Sequence, residues 1–188
     1  MRLVVIGGVA AGLSAAARAR RLDPSLDILV LEKGETIAYG ACGLPYYVEG
    51  RVRRAAELVV YTAEYFRKER NIEVRTGASV ASIAHAKREL GLAGGERVRY
   101  DRLVVATGAR ADRSLAGAEQ AHVFTLHTLA DAERLRAFLR EAKPHRAVVV
   151  GAGYIGLEAA DTLRRRGLEV TIVSRDSDVL GREDPELT

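Results

Sequence analysis

Cys42 is the only cysteine among the 188 residues, and it lies in the run Ala38-Tyr39-Gly40-Ala41-Cys42-Gly43-Leu44-Pro45-Tyr46-Tyr47. Structural cysteines are usually buried in apolar runs and behave as small hydrophobes. This one is flanked by glycine and followed by proline, a setting that suits a reacting thiol. Only the thiolate is a competent nucleophile. With no second cysteine, an internal disulfide pair cannot form, so a resolving thiol has to come from a substrate. An inert core cysteine is the alternative reading. If 43–49 opens a helix, the thiol sits at its head.

Ten residues before Cys42 a carboxylate, Glu32, ends the apolar run Ile28-Leu29-Val30-Leu31. It follows a first apolar run, Leu3-Val4-Val5-Ile6, that leads directly into Gly7-Gly8-Val9-Ala10-Ala11-Gly12. An alanine-rich helical stretch reaches about Leu22, and Asp23-Pro24 closes it. This is the order strand, glycine turn, helix, strand, acid. Glycines there let the backbone approach a pyrophosphate, whose charge is favoured at a helix N-terminus. Glu32, placed twenty residues beyond Gly12, can accept hydrogen bonds from ribose hydroxyls. Val9 occupies the middle position of the glycine pattern. A βαβ unit without a ligand is the plainer alternative.

The pattern recurs late in the chain. Arg146-Ala147-Val148-Val149-Val150 runs into Gly151-Ala152-Gly153-Tyr154-Ile155-Gly156, with all three glycines present. A helix to Arg166 follows, Gly167 ends it, and Val170-Thr171-Ile172-Val173 makes the next strand. The residue after that strand is Ser174, with Arg175 next. An acid there would repel a 2′-phosphate, whereas serine and arginine remove the repulsion and offer a cation. The pair therefore favours NADP(H) over NAD(H), with a solvated surface arginine as the alternative. Two dinucleotide folds suggest two dinucleotides, one donating hydride and one accepting it.

Between the two, Tyr100-Asp101-Arg102-Leu103-Val104-Val105-Ala106-Thr107-Gly108-Ala109 reads as another strand ending in a small-residue turn. With these four ordered motifs the chain resembles the N-terminal part of the flavoprotein pyridine nucleotide–disulfide oxidoreductases. Within that group it is most similar to the single-cysteine branch of coenzyme A-disulfide reductases and NADH oxidases and peroxidases. The resemblance implies that Gly7, Gly8, Val9, Ala10, Ala11 and Gly12 form the turn on the FAD pyrophosphate. It implies that Glu32 holds the adenosine ribose, with Lys33 following along the adenosine. Thr107 and Gly108 match a second flavin-contacting turn, although Ala111 replaces a proline often found there, and backbone near Val80 would contact adenine. Gly151, Gly153, Ile155 and Gly156 match the turn for the nicotinamide nucleotide. Tyr154 matches an aromatic that covers the flavin, and Glu158 an acid near flavin and nicotinamide; a helix-surface glutamate is the alternative for the latter.

The same resemblance places Ser14, Arg18 and Arg21 where coenzyme A phosphates bind. Spacings of four and three residues let them share one helical face, which could equally be a solvated basic face. Ala10 stands where the peroxidases and water-forming oxidases carry histidine, as in the reductases. Ala38 and Ala41 depart from a serine and an asparagine common in the reductases. The implied activity passes electrons from NAD(P)H through FAD to Cys42 and on to coenzyme A disulfide or a persulfide. An NADH oxidase reducing oxygen and a truncated, non-catalytic dinucleotide-binding module are the alternatives. The complete enzymes of the family imply a homodimer.

Hydrophobic residues make up 48% and charged residues 29% of the chain, which is ordinary for a globular protein. The net charge of +4 comes from basic residues interspersed with acids, so neither a nucleic-acid partner nor a membrane is expected. The chain enters a strand at once, without a cationic leader, and a cytoplasmic location is expected. The four histidines lack ligand spacing, and no metal is expected. Thr62 to Arg70 reads as helix, Ile72 to Val74 as a strand, Ala78 to Tyr100 as a small antiparallel meander, and Ala130 to Lys143 as an amphipathic helix. The expected fold class is α/β: two Rossmann-like FAD/NAD(P)-binding units and a β-meander, with the second unit incomplete. The expected division is 1–114 for FAD and 115–188 for NAD(P).

Overall fold

The computed structural model describes residues 1–175 and 179–180. It consists of two compact units, one built from 1–40 and 59–109, the other from 41–58 and 110–188. In the first unit, β1 (Arg2–Ile6), β2 (Asp27–Leu31), β3 (Glu73–Arg75) and β7 (Arg102–Val105) form a parallel sheet in the order β3-β2-β1-β7. β1 and β2 are apolar at consecutive positions because both faces of the sheet are covered. Leu3, Val5, Ile28 and Val30 face one core with Leu13, Ala16, Phe66 and Ile72. Val4, Ile6, Leu29 and Leu31 face the other, with Leu90, Val98 and Tyr100.

The first core is closed by α1 (Ala10–Leu22) and α3 (Ala63–Arg70), which contribute Leu13, Ala16 and Phe66 to it. The second is closed by the antiparallel meander of β4 (Val80–Ala84), β5 (Glu89–Leu92) and β6 (Arg97–Arg99). Helices on one face and an antiparallel sheet on the other thus bury the central strands.

The second unit holds α2 (Leu44–Glu49), α4 (Leu129–Ala142), α5 (Tyr154–Arg165) and a two-stranded parallel sheet of β8 (Arg146–Val150) and β9 (Glu169–Val173). β8 and β9 pair in register from Arg146 opposite Glu169 to Val150 opposite Val173. Residues 41–58 and 110–114 both fall in the second unit. Residues 41–58 pack with the second unit because α2 buries Leu44, Pro45 and Val48 and lies against α4 and α5.

Candidate functional site

The first glycine turn joins β1 to α1. Gly7 has φ +112, a conformation that side-chain-bearing residues rarely adopt, and a Cβ there would overlap the Ala106 carbonyl oxygen. The Ala106 N–H in turn donates to the Ile6 carbonyl at 2.8 Å. The two turns singled out in the sequence, 7–12 and 106–108, are therefore held side by side at the ends of adjacent parallel strands. Thr107 and Gly108 are exposed there, and Gly108 has φ +66. A Cβ at Gly12 would overlap the Gly7 carbonyl oxygen, so the turn and the helix behind it close only on glycine.

Glu32 ends β2 and is 8% exposed. Its carboxylate accepts the Gly8 N–H at 2.6 Å and the Gly34 N–H at 2.7 Å. The residue that the sequence reads as a ribose acceptor thus also ties the glycine turn to the loop after β2. An ionised carboxylate has about four lone-pair sites, so these two bonds leave acceptor capacity for a ligand. No feature of the sequence pattern signals the bond to Gly8. Lys33 is exposed beside it, and Val80, at the start of β4, is half-buried against the second core. Ser14, Arg18 and Arg21 are all exposed on α1, away from its buried Gly12, Leu13 and Ala16.

The second glycine turn repeats the first. Gly151 has φ +107, and a Cβ at Gly156 would overlap the Gly151 carbonyl oxygen just as Gly12 meets Gly7. At Gly153 a Cβ would meet nothing within 4 Å, so the backbone there is bare and approachable. Tyr154, 62% exposed, and the exposed Ile155 and Glu158 stand on the first turn and a half of α5. Ser174 and Arg175 are exposed beyond β9.

Helix capping separates these two helices from α3 and α4, while the short α2 likewise has no side-chain cap. Thr62 caps α3 by accepting the Tyr65 N–H, and Thr128 forms a reciprocal capping box with Asp131 on α4. By contrast, α1 and α5 begin with no side-chain cap. An uncapped N-terminus leaves backbone N–H donors and the positive end of the helix dipole for an anion. Two glycine turns at two uncapped helices fit the pyrophosphates of two dinucleotides.

Cys42 is exposed in a single turn of 3₁₀ helix, Ala41–Gly43, that runs into α2. A Cβ at Gly43 would overlap Leu58, so the backbone beside the thiol is drawn tightly against that side chain. The side chains that hold α2 from behind, Thr162, Arg136 and Arg166, went unnoticed in the sequence because no motif spacing links them to Cys42. Among the described residues no cluster of His, Cys, Asp and Glu is suited to a metal, and no helix is long and apolar enough to cross a membrane.

The family model for pyridine nucleotide-disulphide oxidoreductases matches residues 1–188. The chain belongs to this family. It is 36% identical over its whole length to an NAD(P)H coenzyme A polysulfide/persulfide reductase of Pyrococcus horikoshii, covering 42% of that protein. It is 34% identical to an NADH oxidase of Methanocaldococcus jannaschii, with 100% of this chain and 43% of the relative covered. With a coenzyme A disulfide reductase of Staphylococcus haemolyticus it shares 31% identity over 95% of this chain and 41% of the relative. Its structure matches that of an NAD-dependent persulfide reductase from A. fulgidus with a TM-score of 0.92 and 38% identity, covering 100% of this chain and 36% of the other. The chain of this family member thus spans about two fifths of the length of the curated relatives it matches.

Proposed function

We propose that this chain carries the nucleotide-binding turns and the redox cysteine of an NAD(P)H-dependent flavoprotein that reduces a disulfide or persulfide of coenzyme A. The observation that carries the reading is a single exposed cysteine at the head of a short helix, in a chain with two uncapped glycine-turn helices. The first turn (Gly7 to Gly12), with Glu32, Lys33, Val80, Thr107 and Gly108, would hold FAD. The second (Gly151 to Gly156), with Glu158, Ser174 and Arg175, would hold the nicotinamide nucleotide, and Tyr154 matches the aromatic that covers the flavin. Ser14, Arg18 and Arg21 offer a polar and doubly cationic face to the phosphates of coenzyme A.

Within these 188 residues Cys42 has no second cysteine to pair with. Its thiolate attacks one sulfur of coenzyme A disulfide; a Cys42–coenzyme A disulfide forms and one coenzyme A thiolate leaves. FAD, when bound, supplies the electron pair taken from NAD(P)H that reopens this mixed disulfide and releases the second thiol. The thiolate form of Cys42 is thereby restored for the next disulfide.

The first half of this cycle needs no cofactor, which makes it a clean test. Incubating the reduced chain with coenzyme A disulfide should add one coenzyme A moiety to Cys42, read by mass spectrometry. Cys42→Ser should abolish the adduct. Failure of the parent chain to form it would overturn the reading. An oxygen-reducing oxidase is the second reading, supported by the name of the M. jannaschii relative. Oxygen uptake driven by NAD(P)H without any disulfide would favour it. A chain that forms no adduct and binds neither FAD nor NAD(P)H would be a non-catalytic module.

A further inference from the structure

The helix behind Cys42 is six residues long, well below the length at which a helix sustains itself in water. The last carbonyls of any helix lack partners within it. In α2 two of them, the Val48 and Glu49 carbonyls, are taken up from outside. Arg166 Nη1 donates to the Val48 carbonyl at 3.0 Å and to the Glu49 carbonyl at 3.4 Å. Beyond the helix, Arg136 Nη1 donates to the carbonyl of Val52, three residues past its end, at 3.0 Å, with its guanidinium 4.3 Å from the centre of the Tyr47 ring. Thr162, only 3% exposed, donates its hydroxyl to the Pro45 carbonyl at 3.4 Å. Thr162 lies on α5 and Arg166 at its C-terminal end, so the helix that starts at the second glycine turn finishes on the short helix that follows Cys42.

We propose that Arg166 and Arg136 are positioning residues for Cys42, Arg166 fastening the carbonyl end of α2 and Arg136 the chain just beyond it, so that the thiol is presented in a fixed place against α5. The functional meaning of this rests on Cys42 being the redox residue; the fastening itself does not. An arginine suits the task because one planar guanidinium reaches two carbonyls at once and stays charged. Arg136 adds a cation–π contact that steadies Tyr47 from the other side. The Arg166 guanidinium also places a positive charge at the negative end of the helix dipole.

The single cysteine makes a direct measurement available, since a nitroxide reagent labels the full chain at residue 42 alone. The electron spin resonance line shape then reports how firmly that position is held. Arg166→Ala should convert part of the signal to a mobile component, and Arg136→Ala should do the same. Arg166→Lys, which keeps a donor at the end of the stem, should recover most of the parent line shape. Arg164→Ala, an exposed arginine on the same helix, should leave the parent line shape unchanged. The proposal is overturned if both alanine variants retain the parent spectrum, or if Arg164→Ala frees the label as much as Arg166→Ala does. Should Arg166→Ala fail to fold, Arg136→Gln and Arg166→Lys decide: a parent line shape in the former, or a fully mobile label in the latter, overturns it. A chain whose Cys42 forms no coenzyme A adduct, yet whose label is freed by Arg166→Ala, would sink the redox reading and leave the fastening intact.

Discussion

At the scale of single residues, the two glycine turns contain glycines of two kinds. Gly12 and Gly156 are glycine because the backbone folds onto itself: each would drive a Cβ into the carbonyl oxygen at the head of its own turn. Gly153 is different, because the space over it is open. The two kinds predict opposite outcomes. Gly156→Ala should lower stability, by about 1–3 kcal/mol if the turn behaves like other overpacked sites. Gly153→Ala should melt like the parent but bind NAD(P)H about tenfold more weakly, a loss of roughly 1.4 kcal/mol. Thermal unfolding and a nucleotide fluorescence titration on both variants check the pair. Equal melting of both, with equal binding, would refute the distinction. The first turn has Val9 at the position of Gly153, so its open side is narrower by a β-branched side chain.

At the scale of elements, most of the architecture was legible in the sequence. Runs such as Val4-Val5-Ile6 and Ile28-Leu29-Val30 are apolar at every position, and the structure buries them on both faces. The helix of 63–70 carries its start signal, Thr62, where the sequence places its beginning, whereas the helix read as 130–143 begins at Leu129 behind a Thr128 cap that went unnoticed in the sequence. What was not legible is whatever depends on residues distant along the chain. The placement of 41–58 with the second unit needs the contact of α2 with α4 and α5, and no local pattern encodes it. The bond from Gly8 to Glu32 is hidden for a different reason: a carboxylate after a strand reads as a ligand acceptor whether or not it also serves the backbone. Of the capped helices, α4 offers the sharper test. Thr128 accepts the Asp131 N–H at 3.1 Å while Asp131 accepts the Thr128 N–H at 2.9 Å. Thr128→Ala should therefore destabilise the chain by about 1 kcal/mol, measured by urea denaturation, without altering the nucleotide binding proposed at α5.

At the scale of the whole molecule, the second unit leaves an apolar strip in solvent. Val148 and Val150 on β8 are each 65% exposed, and Val173, paired with Val150, is 49% exposed. A two-stranded sheet also has two open edges, and bare strand edges beside apolar surface invite association. The chain is expected to self-associate as its concentration rises in a sedimentation experiment. Val148→Thr combined with Val150→Lys should shift it toward monomer. Unchanged association would assign the contact to another surface.

The route of the chain between its two units has a practical consequence. It leaves the first unit after Gly40, returns at Val59 and leaves again after Ala109. Neither unit is a continuous stretch, so neither can be cut out of the gene as one piece. A protease that nicks the connection at 109–110 would not release the second unit, because 41–58, still joined to the first fragment, remains seated against α4 and α5. The two fragments should travel together through a sizing column and part only in denaturant. The segment bearing Cys42 thus acts as a hostage, a piece of the second unit carried on the first fragment's stretch of chain, and two separately expressed halves would find each other through it.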